Sequence, residues 1–191
     1  MRIISGKYKS KRLSAPKKLP VRPTTDMAKE GLFNVLNNHF YFSQVSVLDL
    51  FSGTGNISYE FASRGTENIT SVDKHYACVG FIEKTAQELE VNINTIKSDV
   101  YGYLEKTKSC FDIIFADPPY DFETEDFLKI VDLAFENEII DPDGMLIIEH
   151  SKFTNLEHHP NFSFFKRYGG SVFSFFEAIQ VEETDEDVQE T

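Results

Sequence analysis

Val45-Ser46-Val47-Leu48-Asp49-Leu50-Phe51-Ser52-Gly53-Thr54-Gly55 passes within eleven residues from an apolar, β-branched run into a turn carrying two glycines. The run Val45 to Leu50 reads as a strand, and Asn56 to Ser63 behind the turn reads as a helix that Gly65 can cap at its C-terminal end. Glycines at the junction let the backbone turn tightly and approach a ligand closely, while the helix start presents free N–H groups. A tight strand-to-helix turn without a ligand has the same appearance. Ser58 stands where a dinucleotide fingerprint has its third glycine.

Outward from this unit the pattern repeats. Apolar runs recur at Ile69 to Val72, Ile93 to Ile96, Phe111 to Ala116 and Met145 to Ile148. Helical spacing separates them, at Tyr76 to Leu89 and at Glu123 to Asn137, where Phe127, Ile130, Val131 and Ala134 define one stripe. Continuous apolar strands alternating with helices imply right-handed crossovers and a parallel sheet covered on both faces. The ends depart from this pattern. Phe162 to Tyr168 and Ser171 to Ile179, joined by Gly169-Gly170, predict an antiparallel hairpin. Thr25 or Asp26 can cap a helix reaching about Asn38 with Leu32, Val35 and Leu36 inward, and Arg2 to Leu13 reads as a small basic hairpin.

At 191 residues, 41% hydrophobic, the chain suits one full-sized core. Its net charge of −12 is unevenly spread. Residues 1–29 carry nine basic side chains (Arg2, Lys7, Lys9, Lys11, Arg12, Lys17, Lys18, Arg22, Lys29) against the single acid Asp26. That end alone has the charge to meet a phosphate backbone, although a solvated basic strand pair would look alike. Six acids and no base between Glu182 and Thr191 read as a disordered tail. Cys78 and Cys110 are isolated from each other and read as reduced core thiols, with no metal site. No apolar run approaches the roughly 18 residues that span a bilayer, and the start lacks the apolar segment of a signal peptide, so a cytoplasmic location is expected.

Further candidate site residues fall at the carboxyl ends of the expected strands, where parallel sheets hold ligands. Asp73, 18 residues past Gly55, can accept both hydroxyls of a ribose. Asp99 can accept from an adenine amino group, cap the next helix, or do both. With Asp49 and the glycine turn, these acids describe an adenosine-shaped cleft without a pyrophosphate cradle. Asp117-Pro118-Pro119-Tyr120 follows the strand Phe111 to Ala116 directly. Two prolines remove two N–H donors and hold the backbone extended, so a carboxylate, a carbonyl and an aromatic ring converge.

Asp-Pro-Pro-Tyr after the fourth strand, with Phe51-x-Gly53-x-Gly55 after the first, resembles the methyltransferases that modify exocyclic amines of bases. Three further stretches are similar to the bacterial RsmD-type enzymes, which methylate guanine N2 in small-subunit (16S) ribosomal RNA: Arg2-Ile3-Ile4-Ser5-Gly6-Lys7-Tyr8, Arg22-Pro23-Thr24-Thr25-Asp26 and Glu30-Gly31-Leu32-Phe33-Asn34. The resemblance runs from Arg2 to about Glu177. Met27 and Lys29 stand where that family usually has arginines, and Thr85 where asparagine is common.

The resemblance implies an α/β, Rossmann-like class I methyltransferase: a seven-stranded, mostly parallel sheet in the order 3-2-1-4-5-7-6, ending in an antiparallel hairpin. The expected division is a basic hairpin and arm at 1–24, the methyltransferase domain at 25–181 and the acidic tail at 182–191. S-adenosylmethionine is the implied cofactor, held by Asp49, Phe51, Gly53, Gly55, Asp73 and Asp99. Asp117 and the Pro118 carbonyl would accept the hydrogens of the target amine while Tyr120 stacks on the base. Lys7, Lys9, Lys11, Arg12, Arg22 and Thr24 would bind ribosomal RNA or the assembling small subunit. The same four catalytic-motif residues suit a DNA adenine-N6 or protein-glutamine enzyme. A nicotinamide dehydrogenase would share the glycine turn and Asp73, and a non-catalytic RNA-binding module would keep only the basic arm.

Overall fold

The computed structural model describes residues 1–16, 24–119 and 121–179. Seven strands form one sheet, ordered β3-β2-β1-β4-β5-β7-β6. They are β1 (Ser46–Leu50), β2 (Asn68–Asp73), β3 (Asn94–Lys97), β4 (Phe111–Ala116), β5 (Ile140–Ser151), β6 (Phe162–Tyr168) and β7 (Ser171–Phe176). The first five pair in parallel, and β7 turns antiparallel between β5 and β6. The helices are α1 (Asp26–Leu36), α2 (Asn56–Ser63), α3 (Tyr76–Leu89), α4 (Val100–Leu104) and α5 (Thr124–Glu136).

Burial on both faces explains why the central strands are continuously apolar. Val47, Ile113, Phe115, Met145 and Ile147 face a core shared with α1, α2 and α3. Their neighbours Leu48, Ile114, Ala116, Leu146 and Ile148 face a second core under α4 and α5. The stripe read in α5 is the buried one: Phe127, Ile130, Val131 and Ala134. Chain order reverses beside β1, whose neighbours are β2 and β4. That reversal opens a crevice at the carboxyl ends of β1 and β4.

Several expectations change at the periphery. Residues 2–13 fold back on themselves as expected but form no extended ladder: one antiparallel bridge pairs Arg2 with Arg12, flanked by Ile3 N–H to the Lys11 carbonyl and Leu13 N–H to the Met1 carbonyl, each at 3.0 Å. Amides closer to the turn are drawn elsewhere. Ile4 and Ser5 donate to the Glu60 carboxylate at 2.8 and 3.0 Å, and Lys7 donates to the Ser63 carbonyl at 2.7 Å. The segment is therefore laid along α2, with Gly6 at φ +81° where a Cβ would strike the Ser63 carbonyl. Helix α1 stops at Leu36 and leaves Val35 half-buried, Phe33 taking the inner position instead. In the β6–β7 turn only Gly169 needs a positive φ. Cys78 is a core thiol as expected, whereas Cys110 is exposed.

Candidate active site

The first loop of the sheet sets the cofactor side of the crevice. Phe51, Gly53 and Gly55 all take positive φ, at 55°, 53° and 75°. At Gly55, the N-cap of α2, a Cβ would lie 2.9 Å from the Tyr59 ring, so this glycine serves close packing of the helix as well as the turn. Asp49, buried on β1, accepts from the Ser58 N–H at 3.2 Å and from its hydroxyl. Ser58 thus has a task of its own where a dinucleotide fold has glycine. Burial pushes the Asp49 carboxyl up to about 7, against the lowering effect of the Ser58 donors.

Asp73 ends β2 with both oxygens oriented by main chain. Oδ2 accepts from Gly53 N–H and Oδ1 from His75 N–H, each at 2.8 Å. Since each carboxylate oxygen has two lone-pair sites, these bonds aim the group and leave capacity for ligand hydroxyls. Asp99 caps α4, its Oδ1 accepting from Gly102 N–H at 3.1 Å, and also lines the crevice. Phe51 meets Phe122 edge-on at a centroid distance of 5.6 Å, and Phe122 stacks with Tyr101 at 6.4 Å. Together these groups line a cavity of about 720 Å³ whose other wall is Asp117, Pro118 and Pro119. Its hydroxyl-accepting carboxylate, its aromatic and proline walls and the close backbone at Gly53 fit an adenosine-type cofactor.

The Asp117 corner adjoins β5. Ala116 pairs with Ile148 in the parallel register, so Asp117, just past β4, follows alongside Glu149 of β5. The Pro119 carbonyl accepts from Phe122 N–H at 3.2 Å, which leaves Pro118 as the candidate carbonyl acceptor. On the side of Asp117 away from the Asp73 carboxylate, a small recess of about 20 Å³ is bounded by Asp117, Pro118, Glu149, His150 and Gly170. Glu149 is buried and accepts from the Thr24 hydroxyl at 3.0 Å, while the Thr24 carbonyl accepts from Asn56 Nδ2 at 3.2 Å.

Residues 1–177 match the family model described as conserved hypothetical protein 95. The chain belongs to the RsmD-type methyltransferase family. It is 32% identical over 157 residues to a putative ribosomal RNA methyltransferase, YlbH, of Bacillus subtilis, covering 80% of this chain and 83% of that one. It is 31% identical over 156 residues to the ribosomal RNA small subunit methyltransferase D of a Buchnera aphidicola strain from Baizongia pistaciae, covering 81% and 78%. Among solved structures, a putative methyltransferase of Escherichia coli, yhhF, superimposes with a TM-score of 0.81 at 26% identity, over 94% of this chain and 99% of that one. The class I methyltransferase fold expected from the motifs is the fold observed, strand order included.

Within this family fold, the residues read from the sequence are not all in one place. Asp49, Phe51, Gly53, Asp73, Asp99, Asp117, Pro118 and Thr24 share the main crevice, while Gly55 acts from behind it. Tyr120, Arg22, Lys17, Lys18 and the 182–191 tail lie outside the described residues. Lys7, Lys9 and Lys11 are exposed on a turn fastened to the far end of α2, through Ser63, and to the end of α3, where the Tyr8 hydroxyl donates to the Leu89 carbonyl. Lys29, counted with the basic arm, is fully buried. It donates to the Arg2 carbonyl at 2.7 Å and Asn56 Oδ1 at 2.8 Å, and pairs with Glu60 at 3.3 Å. Burial lowers its pKa, with the Glu60 charge opposing. Sequence reasoning passed over Asn56, His75, Tyr101 and Phe122, which also line the crevice; their position just after the expected strands and the Pro-Pro corner was the available signal. Among the described residues no group of three or more metal-binding side chains occurs, and no helix is long and apolar enough to cross a membrane.

Proposed function

We propose that this protein transfers a methyl group to the exocyclic N2 amine of a guanine in small-subunit ribosomal RNA. The observation that carries this reading is the convergence of two unlike sites on one crevice: the Asp73 carboxylate with its aromatic wall, and the Asp117-Pro118-Pro119 corner. S-adenosylmethionine is the cofactor, and when bound it supplies an electrophilic methyl group on a sulfonium centre. Asp49, Phe51, Gly53, Asp73 and Asp99 hold its adenosine part, Asp73 at the ribose and Asp99 near the adenine amino group.

The chain's own catalytic work concerns the amine. The lone pair of guanine N2 is delocalised into the ring and is a poor nucleophile. Asp117 and the Pro118 carbonyl accept its two hydrogens, which favours a pyramidal nitrogen and directs the lone pair toward the cofactor. After attack the nitrogen sheds one of those protons at the Asp117 carboxylate, whence it passes to solvent. Tyr120 contributes stacking on the extruded base, worth roughly 1 to 3 kcal/mol for base on aromatic ring. Thr24, Arg12 and Arg22 belong to the substrate side. The turn bearing Lys7, Lys9 and Lys11 lies at the other end of α2, whose eight residues span about 12 Å. Phosphates held by that turn therefore belong to a part of the RNA remote from the target base.

The test is nucleoside mass spectrometry of ribosomal RNA from a strain lacking the gene. N2-methylguanosine in the small-subunit RNA should fall by one residue per particle and return when the parent gene, but not Asp117→Ala, is restored. Unchanged N2-methylguanosine, with a methylated adenine or a protein glutamine lost instead, would overturn the guanine assignment.

A further inference from the structure

The turn that follows β5 carries the most exposed large apolar side chain among the described residues, Phe153, which is 87% exposed directly after a strand whose last turnward positions are buried. A single exposed ring is ordinary on a protein surface. This one is held in place and stands at the substrate side of the crevice. We infer that Phe153, with Lys152, is a stacking platform for an unpaired nucleotide flanking the methylation target. The inference rests on the ribosomal RNA substrate proposed above and not on which of its bases is methylated.

The backbone under the ring is tied down. Phe153 N–H donates to the Ser151 hydroxyl at 3.2 Å, Thr154 N–H donates to the Ser151 carbonyl at 3.2 Å, and the two hydroxyls lie 3.4 Å apart. His150 Nδ1 lies 2.8 Å from the same carbonyl, a pure acceptor, and so donates to it. A turn ordered in this way before a ligand arrives lowers the cost of binding one. Ser151 and Thr154, which make these bonds, also bound the recess shared with Asp117 and Pro118. The ring therefore stands one residue from the lining of the substrate corner, on the side away from the Asp73 carboxylate.

The surroundings of the ring select the partner. Lys152 Nζ lies 5.1 Å from the Phe153 ring centroid, a cation set beside an aromatic face as a stacked nucleotide and its phosphate require. Residues 151–176 hold three Lys and Arg side chains (Lys152, Lys166, Arg167) against the single acid Glu157, in a chain whose net charge is −12. Lys166 and Arg167 are exposed on β6, in register through β7 with Glu149 and His150 of β5, two strands or about 10 Å away. An apolar ring bordered by cations on an otherwise acidic body fits a single-stranded polyanion with open base faces. Every base has such a face, so this contact adds affinity with little sequence preference.

The experiment uses the full chain with undermethylated small-subunit particles. Phe153→Ala should raise KM for the particles by about fivefold or more, the loss of one base stack, while kcat and S-adenosylmethionine affinity stay within twofold. Phe153→Tyr should keep the parent KM, and Phe153→Leu should not. Lys152→Ala should flatten the dependence of log KM on log salt by about 0.7, as for one phosphate contact on a single strand. With the photocrosslinking residue p-benzoylphenylalanine at position 153, irradiation should join the enzyme to small-subunit RNA within a few nucleotides of the methylated one. A crosslink to a ribosomal protein, or to RNA far from the methylated nucleotide, overturns the inference. So does a Phe153→Ala enzyme with the parent KM, or one that loses kcat alone. A parent that binds S-adenosylmethionine yet methylates no small-subunit RNA removes the underlying functional reading, and the inference falls with it.

Discussion

Asp73 and Asp117 each close a parallel strand of the same sheet, and the chain that follows treats them in opposite ways. After Asp73 the backbone returns: His75 N–H bonds Oδ1 and the glycine loop adds Gly53 N–H on Oδ2. After Asp117 the corresponding second position is Pro119, and Pro118 precedes it, so neither residue has an N–H to give. One carboxylate is clamped by amides and suits a ligand that must be held in one pose. The other is followed by two residues that cannot donate, and under the proposed function it accepts from an incoming amine. The two loops thus differ in the donors their second residues can offer, His75 an amide and Pro119 none.

The largest effect should come from the carboxylate that acts in the transition state. Asp117→Ala should lower kcat on the order of 10²-fold or more, with S-adenosylmethionine affinity within a few fold of the parent. Single-turnover transfer from labelled cofactor to undermethylated small-subunit particles measures it, and a parent-like rate with normal cofactor binding would reduce the motif to a turn. Pro119→Ala sharpens the point, since the restored N–H can compete for Asp117 and should slow the same assay while leaving cofactor affinity alone.

Asp73→Ala should show the reverse profile. Calorimetry is expected to give S-adenosylmethionine binding weaker by about tenfold or more, equivalent to about 1.4 kcal/mol. Equal affinity in the variant and the parent would remove Asp73 from the ribose site.

The smallest effect concerns Asp49, which is held by the Ser58 side chain and amide and is buried outright. Its carboxyl is raised from 3.8 to about 7, so the folded state retains a proton that the unfolded state has already released. Stability from this group is full below about pH 4 and falls as pH rises through 7. Asp49→Asn has no such proton to lose. Melting curves of the cofactor-free protein should show the variant gaining on the parent between pH 5 and 8, and a gap independent of pH would contradict the shift.

Elements whose identity rests on local pattern were legible without coordinates. The α5 stripe, the apolar strands and the turn at Gly53 and Gly55 depend on periodicity or on residues a few positions apart. The N-terminal hairpin stays short for a nonlocal reason: beyond the Arg2–Arg12 bridge the Ile4 and Ser5 amides go to Glu60, 56 residues beyond Ile4. Lys29 likewise reads as one more surface cation, and only the packing of α1 against α2 shows it buried on that same carboxylate. Nothing near Cys110 in sequence says that its thiol stays in solvent.

What the sequence determined by itself was the order of strands and helices and the acids that end them. Burial on both faces demands continuous apolar runs, and a proline pair or a glycine turn constrains the backbone wherever it occurs. Tertiary structure alone decided which groups meet across the crevice: Tyr101 against Phe122, Asp73 beneath Gly53, and Glu149 beside Asp117 with Thr24 bonded to it from 125 residues away. A carboxylate's direction follows from the donors around it, and those donors come from chain segments that only the folded sheet brings together.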